Sequence, residues 1–450
     1  MAVKVVGSPT LALVTATAGT FAGMTSIALF GPAMHLLKEE LHLNPMDAAW
    51  LIACPNASGA VLRVILGAYA DGAGAVRALA VVLAMAAAGV LGVAATMAWL
   101  SVEGSAAPPG VYSALLALGV LAGCGIATGP VGIVQVSYWY PASAQGTALG
   151  LYAGVVCAAP GIWTLVLPHM LEACGLRMTY VYWGGLMLAT SIAHSFASHD
   201  PPHFQLQRAG IEAEEARAVA SNDHGQELFP TGDGFSSLRI AVGSWRTWAL
   251  VCLYASAFGG WSSLTGWLPT YWREAHDMPA TIAGSLTALH GVCFAVTRVC
   301  IGPLTDHIGG DATLATALST TVAGALLMVQ SRSFHADLAA ELLLAVGSGA
   351  AASATMKLLP QEVPQAVGGA AGLITGLGSF GGFVLTPCLA AFAHALGKDG
   401  YSQGFGVFAL LALGNMGVVL ALRQSRNAEP AKDHAMLSFL SPSDCEVDKP

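Results

Sequence analysis

Long apolar runs alternate with short polar breaks along this chain. Twelve runs are long enough, at roughly 20 mostly apolar residues each, to cross a bilayer as helices. They span 10–36, 47–70, 77–100, 111–139, 143–171 and 178–197, then 246–271, 280–304, 311–331, 336–357, 366–394 and 402–423. Each run is apolar around most of its circumference, as a helix embedded in a membrane bundle requires. One polar break is long. Residues 198–245 carry Glu212, Glu214, Glu215 and Arg217 and divide the runs six and six. The pattern predicts an all-α membrane protein with twelve transmembrane helices in two six-helix bundles, residues 1–197 and 246–423. A central loop at 198–245 joins them, and a polar tail at 424–450 reads as solvated and mobile. The first run is too long and has too many successors to be a cleaved signal peptide, so it reads as a retained helix.

Composition narrows the function. Of 450 residues, 55% are hydrophobic and only 10% are Asp, Glu, Lys or Arg, against about 25% charged in a soluble domain. That excludes a soluble enzyme, a disordered chain and a nucleic-acid binder. The net charge of −8 lies mostly in loops and tail. With the N-terminus in the cytoplasm, eleven Lys and Arg fall inside and five outside, with Arg63 and Arg298 left over. Both termini and the central loop are therefore expected in the cytoplasm, at the plasma membrane. Most cysteines lie inside apolar runs and none forms a C-x-x-C pair, so they read as small apolar filler. No nucleophile–base pair, metal cluster or phosphate loop stands out. No catalytic residue, metal or cofactor is expected, and a monomer in the lipid bilayer suffices.

The two halves repeat. Residues 63–74 read R-V-I-L-G-A-Y-A-D-G-A-G and residues 298–309 read R-V-C-I-G-P-L-T-D-H-I-G. Arg63, Gly67, Asp71 and Gly74 match Arg298, Gly302, Asp306 and Gly309 at one offset. Each block ends one helix and opens a turn, the second into the third and the eighth into the ninth. A second pair of stretches agrees: Gly146, Gly150 and Gly154 in the fifth helix, and Gly368, Gly372 and Gly376 in the eleventh. Glycines four apart bare one helix face, so a backbone or a ligand can approach closely, or the helices simply pack tightly in lipid. Two halves in parallel repeat about an axis along the membrane normal are how the major facilitator superfamily is built. The turn G-A-Y-A-D-G-A-G-A-V-R from Gly67 to Arg77 resembles that superfamily's loop motif, although no basic residue follows Asp71 directly. Asp71, and Asp306 with it, are expected to act in gating or in the loop motif, Asp71 by capping the next helix or pairing across the halves.

Charges inside a membrane are the sharpest functional signal in such a sequence. Arg63 lies eight residues before Asp71, about 12 Å along its helix from the cytoplasmic end and near mid-membrane. Arg298, its repeat mate, should face it across the central axis. Each buried Arg costs roughly 2.5–3.5 kcal/mol on the insertion scale. Every Asp and Glu reads as a loop, tail or helix-end residue, Glu341 and Glu172 coming closest to being embedded. Two facing guanidinium groups without a carboxylate make sense if an anion neutralises them. Otherwise they bond backbone carbonyls or reach to the membrane edge. The planar guanidinium fork suits a small planar anion: nitrate, nitrite, formate or another carboxylate. In the seventh helix, Tyr254 and Phe258 are four apart and share a face, able to offer a hydroxyl and a flat wall to such an ion, or merely to pack.

At these residues the chain resembles the nitrate/nitrite porter family of the major facilitator superfamily. The likeness rests on W-L-I-A-C-P-N-A-S-G-A-V-L-R from Trp50, Y-P-A-S-A-Q-G-T-A-L-G-L-Y-A-G from Tyr140, Y-A-S-A-F-G-G from Tyr254 and T-R-V-C-I-G-P-L-T-D from Thr297. G-G-A-A-G-L-I-T-G-L-G-S-F-G-G-F-V from Gly368 is its most specific stretch. The resemblance implies that Arg63 and Arg298 clamp the anion and that Tyr254 and Phe258 contact it. It also implies that Gly150, Gly154, Gly372, Gly376 and Gly378 let the helices rock. Two positions depart from the family: Val156 and Cys157 replace a Gly and an Asn in the fifth helix, and Gly129 stands where an aromatic wall is common. Both departures imply a roomier, less polar pocket.

The expected function is secondary active transport of nitrate or nitrite by alternating access. Exchange of one anion for another is favoured, because an empty carrier would have to close on two like charges. His290, eight residues before Arg298 and about 80° around the helix from it, is a candidate proton carrier for symport, or a neutral His bonded to a neighbouring helix. A formate-like monocarboxylate is the alternative cargo, and a non-transporting anion sensor the alternative class.

Overall fold

The computed structural model describes residues 5–103, 110–229, 234–363 and 366–439. Among the described residues there is no strand. The membrane helices are α1 (Pro9–Ala28), α2 (Pro45–Ala73), α3 (Ala75–Glu103) and α4 (Val111–Trp139). The helix Ala142–Ala197 holds two crossings, α5 and α6, turned against each other at Gly175, whose φ of 76° and ψ of 168° no helix contains. Then follow α7 (245–276), α8 (Ala280–Ile308), α9 (Gly310–Gln330), α10 (Phe334–Glu362), α11 (367–396) and α12 (Gly406–Phe439). Ten spans qualify as crossings on length and hydropathy alone, one of them being the α5–α6 pair. The more polar α7, whose second half carries Ser262, Ser263, Arg273 and Glu274, completes the twelve. The protein is an integral multi-pass membrane protein, with twelve membrane helices among the described residues.

The sequence repeat recurs in backbone conformation. Gly74 ends α2 at φ 93°, ψ 153°, its N–H bonded to the Ala70 carbonyl. Gly309 ends α8 at φ 87°, ψ 152°, its N–H bonded to the Thr305 carbonyl. Only glycine accepts that φ without strain, which accounts for its presence at both sites. The side chains of Asp71 and Asp306 lie outside the described residues. The first two N–H groups of α3 are bonded by Asp200, which accepts from Ala75 and Val76 at 2.9 and 3.1 Å and pairs with Arg208 at 2.7 Å.

Two polar segments are more ordered than their composition predicts. The stretch 198–245 forms helices Pro202–Arg208, Ala213–His224 and Gly234–Gly243. Leu206, Ala216 and Ala220 give the first two a small core. Gln205 holds the N-terminal segment by bonds to both the N–H and the carbonyl of Val6. His203 packs edge-on against Phe204 and Phe229, and burial, then Arg217, lowers its pKa below the usual 6.5. Helix α12 runs past 424 to Phe439. Arg426 is anchored to both Glu362 and Asp311.

The halves meet along α2–α11 and α5–α8, and the seam is tighter at one end. On the face opposite the termini, Lys38 reaches Glu274 at 2.8 Å and the Tyr401 hydroxyl at 3.2 Å. Below that, Ser262 donates to Asn56 at 2.6 Å, and the rings of Trp50 and Phe383 lie 5.5 Å apart. A Cβ on Gly161 would stand 2.9 Å from the Gly291 backbone. On the termini side the seam parts: among the described residues, nothing lies within 4 Å of where a Cβ would sit on Gly150, Gly302 or Gly372.

Candidate functional site

Arg63 sits where the seam changes from closed to open, 3% exposed. Its guanidinium donates from Nε to the Ile126 carbonyl at 3.1 Å and from Nη1 to the Thr375 carbonyl at 3.3 Å, while Nη2 approaches the Met24 sulfur at 3.5 Å. Ile126 lies in an irregular turn and Met24 directly precedes one, while Thr375 lies within a regular stretch five residues before a break. The α1 backbone tightens into 3₁₀ geometry at Thr25–Ala28 and α4 does so at Cys124–Ala127. The α11 helix is interrupted at Phe380, between Val367–Ser379 and Gly381–Leu396. A regular helix bonds its own carbonyls to its own N–H groups. Broken turns at membrane depth free carbonyls to face a cavity or a ligand.

The seventh helix breaks in the same layer. Ala255–Gly259 widens to a π-turn between Trp245–Tyr254 and Gly260–His276. Such single π-turns cluster at functional sites. Tyr254 and Phe258 stack nearly parallel, 5.3 Å between centroids at 9°. The Phe258 ring lies close to both arginines, 4.9 Å from the Arg63 guanidinium carbon and 6.0 Å from that of Arg298. The cation–π attraction holds both guanidinium planes on one aromatic wall. Arg298 is half-buried and donates to the Cys157 sulfur at 3.2 Å. Its guanidinium also lies 5.8 Å from the Phe294 ring, which stacks on Trp261 at 4.4 Å. Among the described residues, neither arginine is paired with a carboxylate.

The structure thus brings Arg63, Arg298, Tyr254 and Phe258 together in one layer. The two departures from the family pattern are in that layer as well: Cys157 takes a bond from Arg298, and a Cβ on Gly129 would stand 3.8 Å from Nη2 of Arg63.

The glycines divide in two. Gly154 faces the Val299 methyl, and a Cβ there would come within 2.8 Å of it; a Cβ on Gly376 would collide with Val64. Val64 and Val299 each follow an arginine, so the repeat pairs a glycine of one half with the arginine helix of the other. A Cβ on Gly378 would come within 2.7 Å of the Tyr254 ring. Gly150 and Gly372 face open space and make no close approach in this conformation.

His290 is buried, its Nδ1 3.3 Å from the Glu341 carbonyl of α10, a neighbouring-helix bond. The expectation that no carboxylate is embedded does not hold. Glu341 is fully buried and Asp337 is 1% exposed, both on α10. A position near the start of a helix conceals how deeply neighbouring α7 covers it.

The Major Facilitator Superfamily profile matches residues 16–386 and 275–438. The chain belongs to that superfamily. Within it the likeness to the nitrate/nitrite porters holds along most of the length. The chain is 24% identical over 387 residues to a probable nitrate/nitrite transporter, NarK2, of Mycobacterium tuberculosis, covering 86% of this chain and 89% of the relative. It is 25% identical to a probable nitrate/nitrite antiporter, NarK1, of Thermus thermophilus, covering 85% of each, and 22% identical to a nitrite extrusion protein of Bacillus subtilis, covering 89% and 91%. Among solved structures, the xylose transporter XylE from E. coli superimposes with a TM-score of 0.63 at 12% identity, covering 91% of this chain and 98% of XylE. A bacterial homologue of the lysosomal transporter Spinster gives 0.63 at 13%, covering 92% and 96%.

Proposed function

We propose that this chain is a secondary transporter of nitrate or nitrite, and that Arg63 and Arg298 clamp the anion against Phe258. The observation that carries this is the pair of guanidinium groups on one buried aromatic ring with no described carboxylate to balance them. Arg63 spends Nε and one Nη1 hydrogen on carbonyls, and Arg298 spends one on a thiol. Guanidinium carries five N–H donors, so both arginines keep hydrogens for a planar ion. The names of the similar transporters support the same cargo.

Transport proceeds by rocking of the halves about this layer, with Gly154, Gly376 and Gly378 as close-approach points. Gly150 and Gly372 close the parted end of the seam in the opposite state. With the site empty, closure desolvates two like charges; with an anion it does not. Exchange is therefore faster than return of the empty carrier. Asp71 and Asp306 act at the loop turns, the termini lie in the cytoplasm, and the protein works as a monomer in the plasma membrane. The space beside Gly129 and the thiol of Cys157 favour a second cargo, a formate-like carboxylate. Titration calorimetry on purified protein separates the two. Nitrate binding that is lost in Arg63→Lys and Arg298→Lys supports the clamp, and formate binding without nitrate binding would reassign the cargo.

A further inference from the structure

A group of buried polar side chains outside the arginine layer lies in the C-terminal half, towards the face opposite the termini. There α7, α8 and α10 meet. His276, at the end of α7, has 12% of its side chain exposed and bonds Asp337 at 2.7 Å. Tyr271 donates to the same Asp337 oxygen at 2.8 Å. One turn deeper on α10, Glu341 accepts from the Trp272 indole at 2.8 Å. Its backbone carbonyl is the one that faces Nδ1 of His290, 3.3 Å away.

Three polar atoms in this cluster have no partner: Oδ1 of Asp337, Oε1 of Glu341 and Nε2 of His290. Their side chains are 1%, 0% and 0% exposed. A carbonyl only accepts, so Nδ1 of His290 carries the hydrogen and Nε2 is a bare lone pair in the neutral ring. An ionised Glu341 would be a buried charge facing one neutral donor, whereas its protonated form would be a neutral group with a hydrogen to give. The titratable groups packed around it are Tyr271 and His276 on α7, His290 and Cys293 on α8, and Asp337 on α10 itself. The buried face of α9 brings none. Among the described residues no lysine or arginine faces Glu341.

We propose that Glu341 and His290 form a proton-binding site, supplied from the face opposite the termini through His276 and Asp337, whose proton is carried with the anion. The step moves one proton and no other bond. It leaves water at His276, converts the Glu341 carboxylate to a carboxyl group, and leaves by way of Nε2 of His290 to water on the termini side. One proton and one monovalent anion then cross together without net charge, which adds net uptake to exchange. The cargo in this coupling rests on the anion-carrier reading above; the proton site rests on the α7–α8–α10 cluster.

The full chain in proteoliposomes tests both separately. One arm measures labelled-nitrate counterflow against internal nitrite at equal pH. The other measures nitrate uptake driven by an acidic exterior, with a pH dye trapped inside. The wild type should do both and acidify the interior as nitrate enters. Glu341→Gln should keep counterflow and lose gradient-driven uptake and acidification, and His290→Gln should do the same. Gradient-driven acidification that persists in Glu341→Gln, or wild-type nitrate uptake that brings in no proton, would overturn the proposal. Absence of counterflow in the wild type would count against the anion carrier alone. An infrared carboxyl C=O band at neutral pH, lost in Glu341→Gln, should appear whatever the cargo; its absence would overturn the proton site.

Discussion

Arg63 and Arg298 occupy equivalent positions of an internal repeat, on helices that end in the same glycine conformation. Their surroundings are not equivalent. Arg63 is almost fully buried and bridges α2 to α4 and α11 through two carbonyls, one in each half. Arg298 is half-buried, with a thiol as its hydrogen-bond partner. The repeat placed two like cations in one layer, and local backbone then gave them different work. In the proposed clamp Arg63 is both anion ligand and strut, whereas Arg298 is the freer donor.

That contrast can be broken by substitution. Arg298→Lys and Arg63→Lys should each reduce nitrate flux by about ten- to a hundredfold, since one or more charge-assisted bonds of the fork are lost. Only Arg63→Lys should also destabilise the fold, by about 1–3 kcal/mol, because buried carbonyls lose their donor. Thermal unfolding in detergent separates the two: a similar midpoint loss in both would erase the distinction. Next in size is Gly376→Ala, where the new methyl would collide with Val64. It should slow transport strongly while leaving anion binding within a few-fold, and Gly372→Ala, facing open space in this state, should bind normally and slow only the return step. Flux measured beside calorimetric affinity checks both.

Smaller effects sharpen the Arg298 side. Cys157→Ala removes its thiol partner and should weaken anion affinity by a factor of about five, equivalent to roughly 1 kcal/mol. Cys157→Asn offers an amide and should shift preference towards nitrate over formate, read from competition in the same titration. The smallest effect concerns the central segment. Burial lowers the pKa of His203 below 6.5, so as pH falls through that value the unfolded segment takes up the proton first. Packing of the helix Pro202–Arg208 is therefore favoured above that range and weakened below it. Hydrogen exchange across residues 202–224 should rise on acidification, and less so in His203→Phe.

Much of the architecture was legible in the chain, for physical reasons. Lipid forces each crossing to be long and apolar, so eleven of the helices announce themselves, and the repeat R…G…D…G marks the two arginines. The α7 helix is legible too, as the run 246–271. What lay hidden depends on contacts between helices. The 3₁₀ turns at Thr25–Ala28 and Cys124–Ala127 and the π-turn at Ala255–Gly259 follow from tertiary demand, and their only local trace is glycine and small residues such as Gly123, Gly125 and Gly259. The seal between Asn56 and Ser262 joins residues 206 apart in sequence, which no single-segment pattern reveals. Glu341 stands out in the sequence, with Glu172, as closest to being embedded, but its place near a helix start reads as a membrane edge, whereas it is fully buried and bonded to Trp272 of α7. The spacing Asp337–Glu341, one turn apart on one helix, was the available signal.

The central claim is that an anion is what lets two facing guanidinium groups pass through the closed state. Labelled-nitrate counterflow into proteoliposomes at equal pH, loaded with nitrite or with no anion substrate, tests it directly. Uptake that is much faster with internal nitrite than without it, the nitrite-dependent part being largely lost in Arg298→Lys while the protein keeps its thermal midpoint, is the predicted result. Nitrate entry at the same rate into both kinds of vesicle, or counterflow undiminished in Arg298→Lys, would contradict it.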